Sequence, residues 1–128
     1  STLAYQEKRF TSPGKSFPAC VFDHTSLKAD KVDAEVAAYF DDLDPAAGDV
    51  LIALSGSGNS SNIVRTIEQA KGMGVKSYAV LGFSGGKCKE LADVAIHFPV
   101  NDMQLSEDLQ LVVGHMLMQW LATHHQQN

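Results

Sequence analysis

The sequence predicts an α/β fold, a doubly wound parallel sheet in three layers with helices on its faces. Three observations carry that prediction. Apolar runs of strand length at 50–54, 77–81 and 94–98 alternate with segments of helical spacing, which is how a parallel sheet with crossover helices reads. The run at 50–54 is continuous, as expected of a strand buried on both faces. It ends in Ser55-Gly56-Ser57-Gly58-Asn59-Ser60, and a helical pattern starts at once. Sheets of this kind bind ligands at the carboxyl ends of their strands.

The elements follow in order. Residues 1–17 are polar, with Ser12-Pro13-Gly14 as a breaker, and read as an irregular arm. A short strand is expected at 18–22. Asp30 can cap a helix whose apolar positions are Val32, Val36, Phe40 and Leu43. Residues 44–48 end it, and the strand at 50–54 follows. Beyond the serine loop, Ile63, Val64, Ile67 and Ala70 mark a helix that stops near Gly72 and Gly74. After the strand at 77–81, Gly85-Gly86 opens a short helix to Leu91. Pro99 closes the strand at 94–98, and Asn101 with Gln104 has the spacing of a capping box. The last helix is expected to reach about Ala122, with Leu105, Leu109, Val112, Met116 and Trp120 on one face. His124-His125 reads as a solvated tail rather than a metal site.

Composition narrows the function. At 128 residues the chain is one domain, with 45% hydrophobic and 20% charged residues, ordinary for a globular protein. A net charge of −5 and the lack of a basic cluster argue against a nucleic-acid partner. Cys20 and Cys88 are far apart and suit reduced thiols in the cytoplasm. No apolar run reaches membrane-spanning length, so no membrane partner is expected.

The serine loop carries the chemistry. It places the hydroxyls of Ser55, Ser57 and Ser60 at the start of a helix, where the first N–H groups are unpaired and the dipole is positive. No lysine or arginine lies in the loop, so neutral donors would hold the anion, as suits a phosphate monoester. Ser and Asn also cap helices routinely; three Ser and two Gly in six residues exceed what a cap needs. A dinucleotide fingerprint fails because its third glycine position is Ser61. A P-loop at Gly14-Lys15-Ser16 fails because position 9 is Arg9 and Pro18 follows where a helix should begin.

With these pieces in order, residues from about Phe17 to Leu121 resemble a sugar isomerase (SIS) domain. Within that superfamily the chain is most similar to the phosphoheptose isomerases. The resemblance rests on Gly48-Asp49-Val50-Leu51, the serine loop, Gly85-Gly86-Lys87, Leu91-Ala92-Asp93-Val94, and Glu107-Asp108 with His115 on the last helix. It implies a sugar-phosphate-binding domain over 18–124, with Ser55, Ser57 and Ser60 binding the substrate phosphate. It implies isomerisation of a sedoheptulose 7-phosphate type substrate, carbohydrate metabolism leading to lipopolysaccharide, and a homodimer or homotetramer whose sites form between subunits. His115 matches the family's proton-transfer histidine. No cofactor is required, but some members bind zinc through that histidine and a glutamine corresponding to Glu107. The family often has threonine where this chain has Gly56, and Gln104 stands where an acidic residue is frequent. Family members open with a long helix, a strand with a glycine-serine turn, and a helix bearing a glutamate base. Residues 1–17 match none of these, so the family's first strand is expected to be absent from this chain.

Plainer roles exist for several of these residues. A lone histidine in an apolar helix, as at His115, is often a core residue. Acids in the first turns of a helix, as at Glu107 and Asp108, complement its dipole. Glu107 and His115 are eight residues apart, about 12 Å along a helix, so one ion could be shared only by two stretched side chains. Asp23 and His24 follow a strand end and read as a polar loop. Two function classes stay open: an aldose–ketose isomerase, and a sugar-phosphate sensor or regulator that keeps the serine loop without the base.

Overall fold

The computed structural model describes the backbone of residues 6–12 and 15–21, and residues 34, 36–38, 40–41 and 44–124 in full. Among the described residues there are two sheets. The first pairs β1 (Gln6–Ser12) with β2 (Lys15–Val21) in an antiparallel hairpin, with Ser12 opposite Lys15. The irregular arm expected over 1–17 is therefore corrected: most of it is strand, and the second strand starts before Pro18. Only Pro13-Gly14 separates the strands, and that dipeptide carries turn chemistry. A two-stranded ribbon needs no apolar alternation, which is why its polar composition concealed it. Pro18 lies opposite Arg9, and proline is tolerated there because, among the described residues, both strands are edges.

The second sheet is the parallel one. It contains β3 (Val50–Ser55), β4 (Lys76–Leu81) and β5 (Val94–His97), in the order β3-β4-β5. Val50 pairs with Lys76, and Tyr78 with Val94. Residues 34, 36–38, 40 and 41 are helical and form α1. The crossovers are α2 (Ser61–Gly72) and α3 (Gly86–Leu91), and α4 (Met103–His124) closes the chain. Asp30, Val32 and Leu43, the remaining residues of the expected first helix, lie outside the described residues, as do Asp23 and His24.

Strand alternation assigns the layers. Ala53, Ala79 and Leu81 point to one face, where they pack with Val64 and Ile67 of α2 and Cys88 of α3. Val36 and Phe40 of α1 extend that layer against Ala70 and Val75. On the opposite face α4 reaches the middle strand, where Gln110 Nε2 donates to the Val80 carbonyl. Helices thus flank a parallel sheet on both faces, as expected. Two details differ. The α4 cap is Asp102, whose Oδ1 accepts from Leu105 N–H at 2.8 Å, so Asn101 and Gln104 form no capping box. The face of α4 expected to pack inward is open, with Leu105, Val112, Met116 and Trp120 all exposed. The middle strand alone cannot cover a 22-residue helix.

Candidate anion site at the serine loop

Three segments meet at the carboxyl ends of β3 and β4: the serine loop, the β4–α3 loop and the first turn of α4. Backbone bonds join the first two. Gly82 N–H donates to the Gly56 carbonyl and Cys88 N–H to the Gly58 carbonyl, both at 2.9 Å. The approach is close enough to demand glycine. A Cβ at Gly58, where φ is +70°, would overlap the Gly85 carbonyl. A Cβ at Gly56 would collide with Met103 Sδ, and one at Gly82 with Ser106 Oγ. The start of α4 therefore leans on both loops, and Ser106 is buried there, donating to the Asp102 carbonyl at 2.7 Å.

Within the loop the hydroxyls are ordered by the loop's own amides. Gly58 N–H donates to Ser55 Oγ at 3.0 Å, and Asn59 N–H to Ser57 Oγ at 3.1 Å. A hydroxyl has one proton and can accept as well as donate. Each of these two has an acceptor position filled and its proton left to give. Ser55 is buried, whereas Ser57 and Ser60 are half-buried. Ser60 is the N-cap of α2 but makes no side-chain capping bond. The first intrahelical bond runs from Val64 N–H to the Ser60 carbonyl. The N–H groups of Ser61, Asn62 and Ile63 therefore precede the helical ladder. No acidic residue occupies the first turn of α2. This is an arrangement of neutral donors and a helix dipole, with chemistry suited to an oxyanion.

The structure brings Ser55, Ser57 and Ser60 together and leaves the other sequence-derived site residues apart. Ser106, packed on the loops, and His115 are nine residues apart on α4, about 13 Å along its axis. His115 is exposed, so it is not a core histidine, and it lies well away from its own serine loop. Glu107 is also exposed. Two ligands about 12 Å apart along one helix do not by themselves fit a shared zinc ion. Among the described residues, no three His, Cys, Asp or Glu side chains come together as a metal site.

Several contacts were not legible as part of this region. Asn59 Oδ1 accepts from Lys87 N–H at 3.0 Å. His97 shares a 2.8 Å bond between its Nε2 and the Phe83 carbonyl, steadying a loop in which Phe83 has φ of +45°. Asn62, in the first turn of α2, has its Nδ2 buried with no hydrogen-bond partner. Burial pushes the Cys88 thiol up to about 11, so it is a poor nucleophile despite its nearness to the loop. A cavity of about 470 Å³ lies elsewhere, between α1 and α2, lined by Val36, Arg65, Glu68, Gln69, Gly72 and Met73. Arg65 there is paired with Glu68 at 2.9 Å. The serine loop has the stronger chemical argument, because it gathers unpaired donors where the cavity offers a neutralised pair.

Comparison with known proteins bears on the fold and the family. The family model described as SIS domain matches residues 19–82. The phosphoheptose isomerase of Nitratiruptor sp. is 41% identical over 70 residues, covering 55% of this chain and 37% of the relative. That of Helicobacter pylori strain Shi470 is 38% identical over 76 residues, covering 59% and 40%. Among solved structures, a phosphoheptose isomerase from Neisseria gonorrhoeae superposes with a TM-score of 0.61 at 26% identity, covering 66% of this chain and 48% of the other. One from Francisella tularensis gives 0.58 at 25% identity, covering 70% and 46%. The chain matches less than half the length of each of these relatives.

Proposed function

This chain belongs to the SIS domain family, and we propose that its serine loop binds the phosphate of a ketoheptose phosphate of the sedoheptulose 7-phosphate type. Ser55, Ser57 and Ser60 are the proposed ligands, with the N–H groups at the start of α2. The observation that carries this reading is the loop's internal bonding. Its amides fill acceptor positions on Ser55 and Ser57, while the Ser60 side chain makes no capping bond.

The activity we propose is aldose–ketose isomerisation, following the relatives named phosphoheptose isomerase. The reaction moves a proton between adjacent carbons and needs a base and an acid. His115 is the proposed proton-transfer group. Its distance along α4 from its own serine loop favours action at the loop of a neighbouring copy, which makes a homodimer or homotetramer part of the proposal. The apolar, exposed α4 supports such an assembly. Among the described residues no helix is long and apolar enough to cross a membrane. A cytoplasmic protein with a phosphorylated sugar as its small-molecule partner fits that observation. Glu107 and His115, eight residues apart on α4, do not by themselves make a zinc site.

Thermal unfolding tests the binding step. Sedoheptulose 7-phosphate should raise the melting temperature, because a ligand of the folded state stabilises it by mass action. Sedoheptulose without its phosphate should not. Ser57→Ala should cost binding roughly 1.5–3 kcal/mol, in the range for hydrogen bonds to charged groups. Equal shifts from both sugars would refute the phosphate site.

A further inference from the structure

We propose that Asn59 sets the donor geometry of the serine loop and acts on bound phosphate through Ser57, without touching the ligand. The inference rests on the phosphate-binding reading above. Asn59 is bonded on both sides. Its backbone N–H donates to Ser57 Oγ at 3.1 Å. Its side-chain Oδ1 accepts from Lys87 N–H at 3.0 Å, across 28 residues of sequence. The first bond fills an acceptor position of the Ser57 hydroxyl and directs its proton away from the loop backbone. The second fixes Asn59 to the first turn of α3.

The seat for that second bond is built into the opposite loop. A Cβ at Gly86 would lie 2.6 Å from both Asn59 Cγ and Oδ1. Gly86 also has φ of +53°, a conformation in which side chains are strained. Other ties between the two loops, at Gly56 and Gly58, are backbone bonds. Asn59 provides the side-chain tie between them among the described residues. This matters because the loop contains no cation. Neutral donors hold an anion well only when already aimed, since reorganisation on binding subtracts directly from affinity. Asn59 is therefore a positioning residue.

The test measures inorganic phosphate binding to the chain by NMR titration, in the wild type and in Asn59→Ala, Ser57→Ala and the double variant. Asn59→Ala should weaken binding about fivefold, the equivalent of one net hydrogen bond. The double variant should bind no more weakly than Ser57→Ala, because Asn59 acts through the hydroxyl already removed. Losses that multiply would mean that Asn59 touches phosphate itself and would overturn the inference. A lowered melting temperature with unchanged affinity would leave Asn59 a merely structural role and overturn it too. Wild type that does not bind phosphate would instead sink the phosphate reading, and this inference with it. If Asn59→Ala does not fold, hydrogen exchange in the wild type decides. Saturating phosphate should slow exchange of the Lys87 amide, by the reciprocity of linked equilibria. An unchanged rate would refute the coupling.

Discussion

The two faces of the parallel sheet have opposite fates. Under α2 and α3, Ala79 and Ile67 are wholly enclosed and Leu81 is 1% exposed. On the face beneath α4, Val50, Ile52 and Leu54 of β3 are 57%, 55% and 52% exposed, although their side chains are larger than the alanines opposite. Val80, on the middle strand, is buried on that same face. One layer is thus finished within the chain, and the other is apolar surface awaiting cover. The serine loop sits at the rim between them, its helix belonging to the finished layer and its glycines pressed by the start of α4. A phosphate anchor needs the rigid layer. His115, the proposed proton-transfer group, lies on α4 and belongs to the open one.

Core truncation should separate the faces most sharply. Ile67→Ala should lower unfolding stability by about 2–5 kcal/mol, the range for emptying an enclosed site. Ile52→Ala should cost under about 1 kcal/mol in a dissociated chain, since little contact is lost. Urea unfolding of both variants checks the contrast, and equal losses would mean the open face is covered.

The open face should govern assembly. Met116→Glu or Trp120→Asp places a charge on the exposed apolar helix, and size measurement by light scattering should show a dimer or tetramer reduced to monomer. Wild type that is already monomeric would remove the proposed role of α4.

A smaller effect should appear with pH. Asp93 is held below the ordinary carboxylate range, first because Ser77 N–H donates to it, with further help from the Ser77 hydroxyl and from Lys71 and Lys76, and with burial opposing. A carboxyl lowered on folding stabilises the protein above its unfolded pKa. That stability is lost as pH falls through the folded value. Acid should therefore weaken the junction between β4 and β5, and Asp93→Asn should flatten that part of the stability profile in pH-dependent unfolding. An unaltered acid slope would show that the contact contributes nothing.

Much of the finished layer was legible in the sequence, for a physical reason. Apolar runs at 50–54 and 77–81, followed by Gly- and Ser-rich breaks, state both the strand and its end. Ile63, Val64, Ile67 and Ala70 repeat at helical spacing, and all lie toward the core. The serine loop was visible because unpaired donors at a helix start are a local property. What escaped was not local. Asn59 and Lys87 are 28 residues apart, and Asp93 lies 16 residues from Ser77. The apolar stripe of α4 showed a need for burial without naming what supplies it. The α4 cap shifted by one position because Asp102 competes equally well with Asn101 for that role. Of the hairpin, β2 was partly legible as the strand expected at 18–22, with Phe17, Ala19 and Val21 alternating along it, while β1 escaped because its QEKRFTS run is polar apart from Phe10.

Phosphate is proposed to bind at the serine loop, where the finished layer meets the rim. The most direct measurement is an amide NMR titration of the chain with sedoheptulose 7-phosphate. The largest shifts should fall on residues 55–63 and on Lys87 and Cys88, with unphosphorylated sedoheptulose leaving them unmoved. Shifts confined instead to Val36, Arg65, Gln69 and Met73 would place the ligand in the cavity between α1 and α2, and would contradict the account.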